Sequence, residues 1–302
     1  MLAPLLDQDP DLAGIIRFER RRWPSPWNWH EALDSIFAAR REKFDWIIDL
    51  QCLARSGAFS WLAGGALTVG LEDAREGARG FYDLIVPPPV LGIHAVDRYL
   101  NVLRTLDVPV DRPFIWIPEK PHVRTTLAAR WKLNSSRWFV LCPGASWENK
   151  RWPAENFAEL VRLMSTSFPE HRLAVIGSES EQPLAESICA ANPERTLNLA
   201  GRTSLPELVE WIRHADLMVS NDTGPMHIAA ALGKPVVSIF GPTDPRRTGP
   251  YGQVEHALQI PLPCAPCLKD DCAHTEVLEC LRAISPQQVH DEIGRRLSGI
   301  AA

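Results

Sequence analysis

Four residues in the second half of the chain have types and spacing that suit anion binding. Asp222, Thr223 and Gly224 follow a short apolar run, and His227 comes three residues after the glycine. A strand, a tight turn and a helix N-terminus together present backbone N–H groups and a positive dipole end to a negatively charged ligand. Glycine lets that ligand approach the backbone closely, and Pro225 suits the first helical turn. The pattern predicts an anion site, although Asp and Thr also serve as ordinary helix caps.

The sequence around and beyond this turn resembles a family signature. Residues 222–235 read Asp-Thr-Gly-x-x-His-x-x-Ala-Ala-Leu-Gly-x-Pro, and residues 240–245 read Phe-Gly-Pro-Thr-Asp-Pro. Together they resemble the donor site of glycosyltransferase family 9, the bacterial heptosyltransferases that build the inner core of lipopolysaccharide. The resemblance implies that the chain transfers heptose from ADP-heptose and that the donor contacts these residues: Asp222, Thr223, Gly224 and His227.

A second stretch supports the same resemblance. Residues 142–153, Cys-Pro-Gly-Ala-Ser-Trp-Glu-Asn-Lys-Arg-Trp-Pro, are similar to the family's segment after the first strand of the donor domain. The resemblance implies that the Ser146 hydroxyl and the Lys150 ammonium approach the nucleotide phosphates. A surface lysine beside a helix start is the alternative. After the next strand, Glu179 and Glu181 both fit an acidic residue on the nucleoside; we take Glu179 as the candidate, although the sequence does not choose between them.

The chemistry that the resemblance implies is inverting glycosyl transfer without a bound metal or cofactor. Departure of the nucleoside diphosphate develops negative charge, which cations, backbone N–H groups and a helix N-terminus stabilise. Lys150, the amides of Thr223 and Gly224, and His227 form the expected set for that task.

The elements that must position these residues alternate between strands and helices. Apolar runs at 138–141, 173–176, 217–219 and 235–240 predict strands, and helical patterns lie between them. Such alternation predicts parallel βαβ units and a doubly wound sheet. The first half repeats the alternation less completely. Because neither half contains Gly-x-Gly-x-x-Gly, an NAD-dependent enzyme is disfavoured.

The fold class is therefore α/β, with two Rossmann-like domains. A proline-rich link at 109–120 joins the halves, and this layout is that of the GT-B glycosyltransferases, whose domains face a cleft. We place the boundary near residue 125. The resemblance then makes residues 1–125 the acceptor-binding domain and residues 126–302 the nucleotide-sugar domain.

Three arginines of the first half are candidate acceptor clamps. They lie in segments 48–56, 71–77 and 94–99, which also match family patterns. The implied acceptor is a phosphorylated, Kdo-bearing lipid A, so guanidinium groups are the expected contacts. The candidates are Arg55, Arg75 and Arg98. Each arginine alone is more often a surface or ion-pair residue, and Cys52 replaces a usual glycine of the first segment.

The start of the chain departs from the family pattern. The family opens with a buried strand and a Gly-Asp loop, whose aspartate is thought to be the general base. Here residues 11–18 already resemble the family's second strand. We therefore expect an incomplete N-terminal domain, from a late start codon or a truncation, and leave the catalytic base unassigned. The alternatives to the leading function are a family 9 enzyme with another donor or acceptor and a catalytically impaired nucleotide-binding remnant.

Composition limits the other function classes. The 302 residues carry a net charge of −5, which argues against nucleic-acid binding. No apolar stretch is long enough to span a membrane and no signal peptide is evident, so a cytoplasmic location is expected. Trp23, Trp27 and Trp29 follow a run of three arginines. Such a patch could rest against a membrane interface, here the inner face of the inner membrane, or against a lipid-linked glycan, although these residues more often anchor a loop.

The cysteines permit a metal interpretation. Their number, seven, is odd and no secretory signal precedes them, so a disulfide framework is not expected. Four of them, with His274 nearby, have a spacing that could bind a structural zinc ion. Small buried thiols or a redox-labile pair are the alternatives. The four are Cys264, Cys267, Cys272 and Cys280.

Overall fold

Two units make up the computed structural model, which describes residues 3–17, 29–88, 94–110, 117–131, 133 and 136–299. One unit is Leu6–Phe114, and the other is Ile115–Ala302 together with Leu2–Leu5. The predicted boundary at residue 125 falls inside a helix that packs on another helix of the second unit. The division therefore lies earlier, before that helix begins.

Part of the predicted tryptophan and arginine patch lies outside the described residues. This holds for Trp23, Trp27 and residues 20–22, and for the side chain of Trp29. None of the helices formed by the described residues has the length and apolar character that a membrane crossing requires.

The first unit contains a parallel sheet in the strand order β1-β2-β3. Gly70 of β2 is required by packing, because a Cβ there would lie 2.2 Å from Cε2 of Tyr82. Residues 11–17 form no strand, so the strand expected over 11–18 is wrong for its described part. The short helix α1 (Ala3–Leu6) belongs to the second unit up to Leu5. The elements of the first unit are α2 (Trp29–Arg41), β1 (Trp46–Ile48), α3 (Ala54–Ala63), β2 (Leu67–Leu71), β3 (Leu84–Val86) and α4 (Ala95–Thr105).

The second unit contains a larger parallel sheet in the order β6-β5-β4-β7-β8-β9. This doubly wound arrangement confirms the predicted fold class. The elements are α5 (Pro121–Trp131), β4 (Arg137–Cys142), α6 (Ala154–Ser167), β5 (His171–Val175), α7 (Gln182–Cys189), β6 (Thr196–Asn198), α8 (Leu205–His214), β7 (Leu217–Asn221), α9 (Gly224–Ala231), β8 (Val236–Ile239), α10 (Pro245–Thr248), β9 (Ala257–Leu258), α11 (Glu279–Arg282) and α12 (Pro286–Ser298).

Alternating side chains of the central strands fill two separate cores. Phe139 and Leu141 of β4 join the core formed with α6, α7 and α12. Trp138 and Val140 of the same strand join the core formed with α5, α8 and α9. Strands covered on both faces read as continuous apolar runs, which is why these strands were recognisable from the sequence. The sheet is thus packed against a hydrophobic core on each of its two faces.

Candidate functional site

An ion pair stands at the carboxyl edge of the second sheet. Lys150 lies in the 3-10 turn Glu148–Lys150 after β4, and Asp222 directly follows β7. The Lys150 Nζ atom is 2.7 Å from Oδ2 of Asp222, and the two side chains are 15% and 8% exposed. Lys150 Nζ also lies 4.6 Å from the ring centroid of Trp147, a cation–π distance. A largely desolvated cation is therefore held in place at the strand ends.

Thr243, in the loop after β8, completes this cluster. Its Oγ1 donates a hydrogen bond of 2.7 Å to the same Oδ2 atom of Asp222. The loop is itself held by Gln259, whose Nε2 donates to the carbonyl oxygens of Thr243 at 2.7 Å and of Gly241 at 3.1 Å. The motif around residue 243 was visible in the sequence, but this threonine was not selected as a site residue. A hydroxyl in the loop after a strand that neighbours β7 was the signal that could have found it.

The strand order explains why these three residues meet. The strands β4, β7 and β8 are neighbours in the sheet and run parallel. Their carboxyl ends therefore lie along one edge, and ligands of open α/β sheets bind at that edge. Each strand contributes one member of the cluster formed by Lys150, Asp222 and Thr243, which we call the Lys150 cluster.

The N-terminus of helix α9 adjoins this cluster, because Asp222 immediately precedes its N-cap residue, Thr223. Gly224 is the first helical residue, so its N–H group has no acceptor within the helix. It is exposed, and a Cβ built on it meets nothing within 4 Å. His227 is also exposed and lies in the first turn. The positive end of the helix therefore lies at exposed residues that follow Asp222, the partner of Lys150, in the chain.

The loop after β4 carries Ser146, which is exposed. Of the two acidic candidates beyond β5, Glu181 is the one packed against this loop, since a Cβ on Gly144 would lie 2.0 Å from its Oε1. The other carboxylate oxygen, Oε2, accepts hydrogen bonds from the Ser178 amide at 2.7 Å and the Ser178 hydroxyl at 2.9 Å. Glu179 is exposed on the same turn. The geometry therefore favours Glu181 over Glu179 as the fixed carboxylate of this edge.

Hydrogen bonds from buried polar groups stiffen the loop that bears Lys150. The amide nitrogen of Asn221 donates to the Pro143 carbonyl at 2.7 Å, and its oxygen accepts from the Trp152 amide at 3.2 Å. The Trp152 indole donates to the Ile284 carbonyl at 2.9 Å. Arg151 donates twice to the Ala145 carbonyl, at 3.0 and 2.8 Å. Both ends of the loop are thus tied to the core, which fixes the position of the lysine between them.

The four C-terminal cysteines line one open pocket, together with Asn149 and Pro242. Asn149 donates to the Lys269 carbonyl at 2.8 Å, and the Leu268 amide donates to the Pro242 carbonyl at 2.8 Å. The cysteine segment therefore connects the residue before Lys150 with the residue before Thr243. Its hydrogen bonds therefore support both loops, the one that carries Lys150 and the one that carries Thr243.

The arrangement of these thiols does not fit the predicted zinc site. Over the described ranges, no group of three or more His, Cys, Asp or Glu side chains is placed so that it could hold a metal ion. The described cysteines are all free. We therefore do not propose a structural zinc ion here.

The three candidate arginines of the first unit follow successive parallel strands, and so all three lie on the side of the sheet where the strands have their carboxyl ends. Arg55 is exposed in the first turn of α3, and Arg75 is exposed in the loop after β2. Arg98 lies in the first turn of α4, and its guanidinium is paired with the Asp73 carboxylate. Two arginines are thus open to solvent, and the third shares its charge with an acidic neighbour.

A buried carboxylate that was not selected from the sequence organises this edge of the first unit. Asp49 is 5% exposed. Its Oδ2 accepts hydrogen bonds from Ser56 Oγ at 2.7 Å and Tyr82 Oη at 2.8 Å, and its Oδ1 accepts from the Cys52 amide at 3.0 Å. Burial and the bond to Asp49 raise the pKa of Tyr82. Cys52 has φ +56, so the cysteine at the usual glycine position adopts the left-handed conformation of that turn.

Comparisons with known proteins agree with this architecture. A family model described as "Glycosyltransferase family 9 (heptosyltransferase)" matches residues 36–278. Lipopolysaccharide heptosyltransferase 1 of Pseudomonas aeruginosa is 29% identical over 94% of this chain and 83% of its own length. Lipooligosaccharide heptosyltransferase 2 of Haemophilus influenzae is 35% identical over 48% of this chain and 43% of its own length. The second match thus spans less than half of that relative.

The fold is also that of a solved structure, the Escherichia coli heptosyltransferase WaaC with ADP-2-deoxy-2-fluoro heptose. The TM-score is 0.70 at 23% sequence identity, over 93% of this chain and 82% of that one. At this identity the likeness establishes the fold.

Proposed function

Because this chain belongs to glycosyltransferase family 9, we propose that it transfers heptose from ADP-heptose to the inner core of lipopolysaccharide. The observation that carries the proposal is the Lys150 cluster beside the N-terminus of α9. A held ammonium next to outward-facing helical N–H groups is suited to the diphosphate of a nucleotide sugar. The names of the relatives supply the sugar and the acceptor class.

In the proposed donor complex, Lys150 and the N–H groups of Thr223 and Gly224 bind the diphosphate. Gly224 leaves room for close approach of a phosphate, since a Cβ there would meet nothing within 4 Å. Ser146 donates from the facing loop, and His227 adds a donor in the first turn of α9. Asp222 holds the lysine. A carboxylate at the end of β5, Glu181 or Glu179, accepts from the ribose hydroxyls.

The proposed chemistry is an inverting displacement that needs no metal. A hydroxyl of the acceptor attacks the anomeric carbon of heptose while the bond from that carbon to the diphosphate oxygen breaks. The leaving ADP accumulates negative charge, which the lysine and the helix N-terminus stabilise more strongly than the charge of the intact donor. The residue that accepts the hydroxyl proton is left unassigned.

The acceptor in this proposal is a Kdo-bearing lipid A. Its phosphates and carboxylates match the cationic groups of the first unit, which are Arg55, Arg75 and Arg98. An acceptor of this kind is anchored in a membrane, so we propose that the enzyme works in the cytoplasm, peripherally on the inner face of the inner membrane.

A transfer assay with a donor panel tests the function. The purified chain is incubated with Kdo-lipid A and, separately, ADP-heptose, ADP-glucose, UDP-glucose or GDP-mannose, and the products are analysed by mass spectrometry. We expect a mass increase of one heptose with ADP-heptose only. Faster transfer from another nucleotide sugar would assign a different donor. Binding of ADP without transfer from any donor would instead indicate a nucleotide-binding remnant.

A further inference from the structure

One oxygen atom of the Lys150 cluster carries two short hydrogen bonds. Oδ2 of Asp222 accepts from Lys150 Nζ at 2.7 Å and from Thr243 Oγ1, also at 2.7 Å. A carboxylate held by the lysine alone could rotate about its terminal torsion, which is broad for aspartate. The second donor, fixed on a separate loop, removes that freedom. The position of the ammonium therefore depends on Thr243 as well as on Asp222.

Thr243 is itself rigidly placed. It is 8% exposed, and its carbonyl oxygen accepts a hydrogen bond of 2.7 Å from Gln259. The Gln259 side chain bonds the Gly241 carbonyl as well, so the loop after β8 is held at two points. A hydroxyl on such a loop loses little further conformational entropy when it binds the carboxylate.

The contact that Thr243 makes is not the usual one for a buried threonine. Thr196, in the same unit, is 6% exposed and donates to backbone carbonyls, those of Cys189 and Asn192. Such local bonds satisfy a hydroxyl and have no influence on a charged group. The Thr243 hydroxyl instead reaches a carboxylate 21 positions away, on the loop of another strand. Its effect is therefore on the ion pair.

The remaining directions around Lys150 show what this positioning serves. An ammonium has three N–H donors. One is directed to Asp222, and the ammonium lies over the Trp147 ring, which shields it from water on that side. The Lys150 side chain is 15% exposed, so it is not completely closed off from solvent. Such an arrangement leaves donor capacity for an anion in a restricted direction.

We propose that Thr243 is a positioning residue for the donor site: through Asp222 it orients Lys150 for the diphosphate of a nucleotide sugar. The identity of that ligand rests on the proposed function. Thr243 does not touch the donor in this proposal. Loss of its hydroxyl should therefore weaken the binding of the diphosphate by Lys150 without removing a direct contact with the donor.

Calorimetry with ADP tests the consequence for binding. Thr243→Val keeps the shape of the side chain and removes the hydroxyl, whereas Thr243→Ser keeps the hydroxyl. We expect about a tenfold loss of ADP affinity for the valine variant, as for one lost hydrogen bond to a charged group, and recovery to within about threefold for the serine variant. Thr196→Val is the matched control: it removes a similarly buried hydroxyl of the same unit and should leave ADP affinity unchanged.

A second measurement follows the lysine without any nucleotide. The unliganded proteins are treated briefly with an amine-reactive acylating reagent, and the modification of Lys150 is quantified by mass spectrometry relative to Lys269. A lysine side chain that is held less firmly in its ion pair is more available to the reagent, so we expect about a threefold increase for Thr243→Val. We expect none for Thr243→Ser or for Thr196→Val.

The two measurements separate this inference from the proposed function. Unchanged acylation of Lys150 in Thr243→Val would overturn the positioning role, even if ADP affinity falls. An equal effect of Thr196→Val on Lys150 would overturn it too, because the change would then be a general loss of packing. If the wild-type protein binds no ADP, the proposed donor is wrong, and the acylation rates still decide whether Thr243 positions the lysine.

Discussion

The two units of this protein differ in how their strands are covered, and that difference separates their candidate sites. In the second unit every residue of β7 and β8 is buried, as is β4 after its first residue. In the first unit β1 leaves Trp46 at 48% and Ile48 at 36% exposed. Side chains at the ends of β4, β7 and β8 in the second unit therefore extend from buried strands. In the first unit, those that follow β1 extend from a strand that is partly exposed to solvent.

The electrostatics of the two edges differ in the same way. The Lys150 cluster joins three loops through charge-assisted hydrogen bonds of 2.7 Å between largely buried groups. The candidate arginines of the first unit are instead exposed, as Arg55 and Arg75 are, or pair with an exposed aspartate, as Arg98 does. Buried, oriented charges act strongly on one ligand geometry, while exposed charges attract many anions weakly. On the proposed function, we therefore expect a specific donor site in the second unit and a less selective acceptor surface in the first.

Truncating one phenylalanine in each unit tests the structural side of this comparison. Phe157→Ala removes a fully buried ring from the second unit, and Phe37→Ala removes a ring that is 54% exposed in α2. We expect the first change to lower the free energy of unfolding by about 3–5 kcal/mol and the second by less than about 0.5 kcal/mol. Urea unfolding followed by tryptophan fluorescence measures both. Similar losses in the two variants would contradict the contrast in covering.

Removing the lysine of the cluster tests its electrostatic side. Lys150→Ala deletes the cation and leaves the Asp222 carboxylate unpaired beside the proposed diphosphate site, so attraction is replaced by repulsion. We expect ADP affinity to fall about 30- to 100-fold. The control is Arg162→Ala, which removes an exposed cation of α6 that pairs with Glu159. If calorimetry found ADP affinity lowered equally by both changes, the loss would come from the change in net charge and not from the Lys150 cluster.

Much of the second unit could be predicted from the sequence, because its apolar runs and helix signals are continuous. Less of the first unit could, since β2 and β3 were missed. Gly70 explains one miss, since a glycine inside a strand resembles a turn signal when its packing partner, the Tyr82 ring, is unknown. Such a partner is 12 residues away in the chain and becomes evident only in three dimensions.

The members of the candidate site could be predicted singly but not as a cluster. Lys150 and Asp222 each belong to a recognisable motif, yet their contact depends on β7 pairing with β4 although β5 and β6 lie between them in the chain. The choice between Glu179 and Glu181 depends on the Gly144 backbone, which approaches from another strand end. Spacing along the chain does not encode these distances. The same holds for the cysteines, whose spacing fits zinc while their arrangement does not.

Two glycine substitutions test separately the structural support of the proposed donor site and the contact with the donor. Gly224→Ala adds a methyl group in open space at the first position of α9, where alanine is a good helix former, so stability should be unchanged. The methyl would occupy the volume proposed for a phosphate, and we expect ADP affinity to fall about tenfold. Gly144→Ala, by contrast, puts a Cβ within 2.0 Å of the Glu181 carboxylate, which would have to give up its hydrogen bonds from Ser178 to move away.

For Gly144→Ala we therefore expect a loss of about 1–3 kcal/mol in the free energy of unfolding together with weaker ADP binding. Differential scanning calorimetry and ADP titration of the two variants provide the comparison. If Gly224→Ala bound ADP as well as the wild-type protein does, the N-terminus of α9 would have no part in the donor site. The structural difference between the two units would then no longer support a donor site in the second unit.

The smallest effects are expected at the arginines. In Arg55→Gln or Arg75→Gln one exposed charge is lost, so the KM for a Kdo-lipid A acceptor should rise about two- to fivefold, and added salt should reduce the difference. Arg98 differs, because Asp73 already neutralises part of its charge. Asp73→Asn releases that guanidinium and should lower the acceptor KM by about twofold, whereas Arg98→Gln should raise it. Steady-state kinetics at two salt concentrations measure all four variants. A rise in KM for Asp73→Asn would mean that the ion pair orients Arg98, and the first unit would then hold a positioned cation comparable to Lys150.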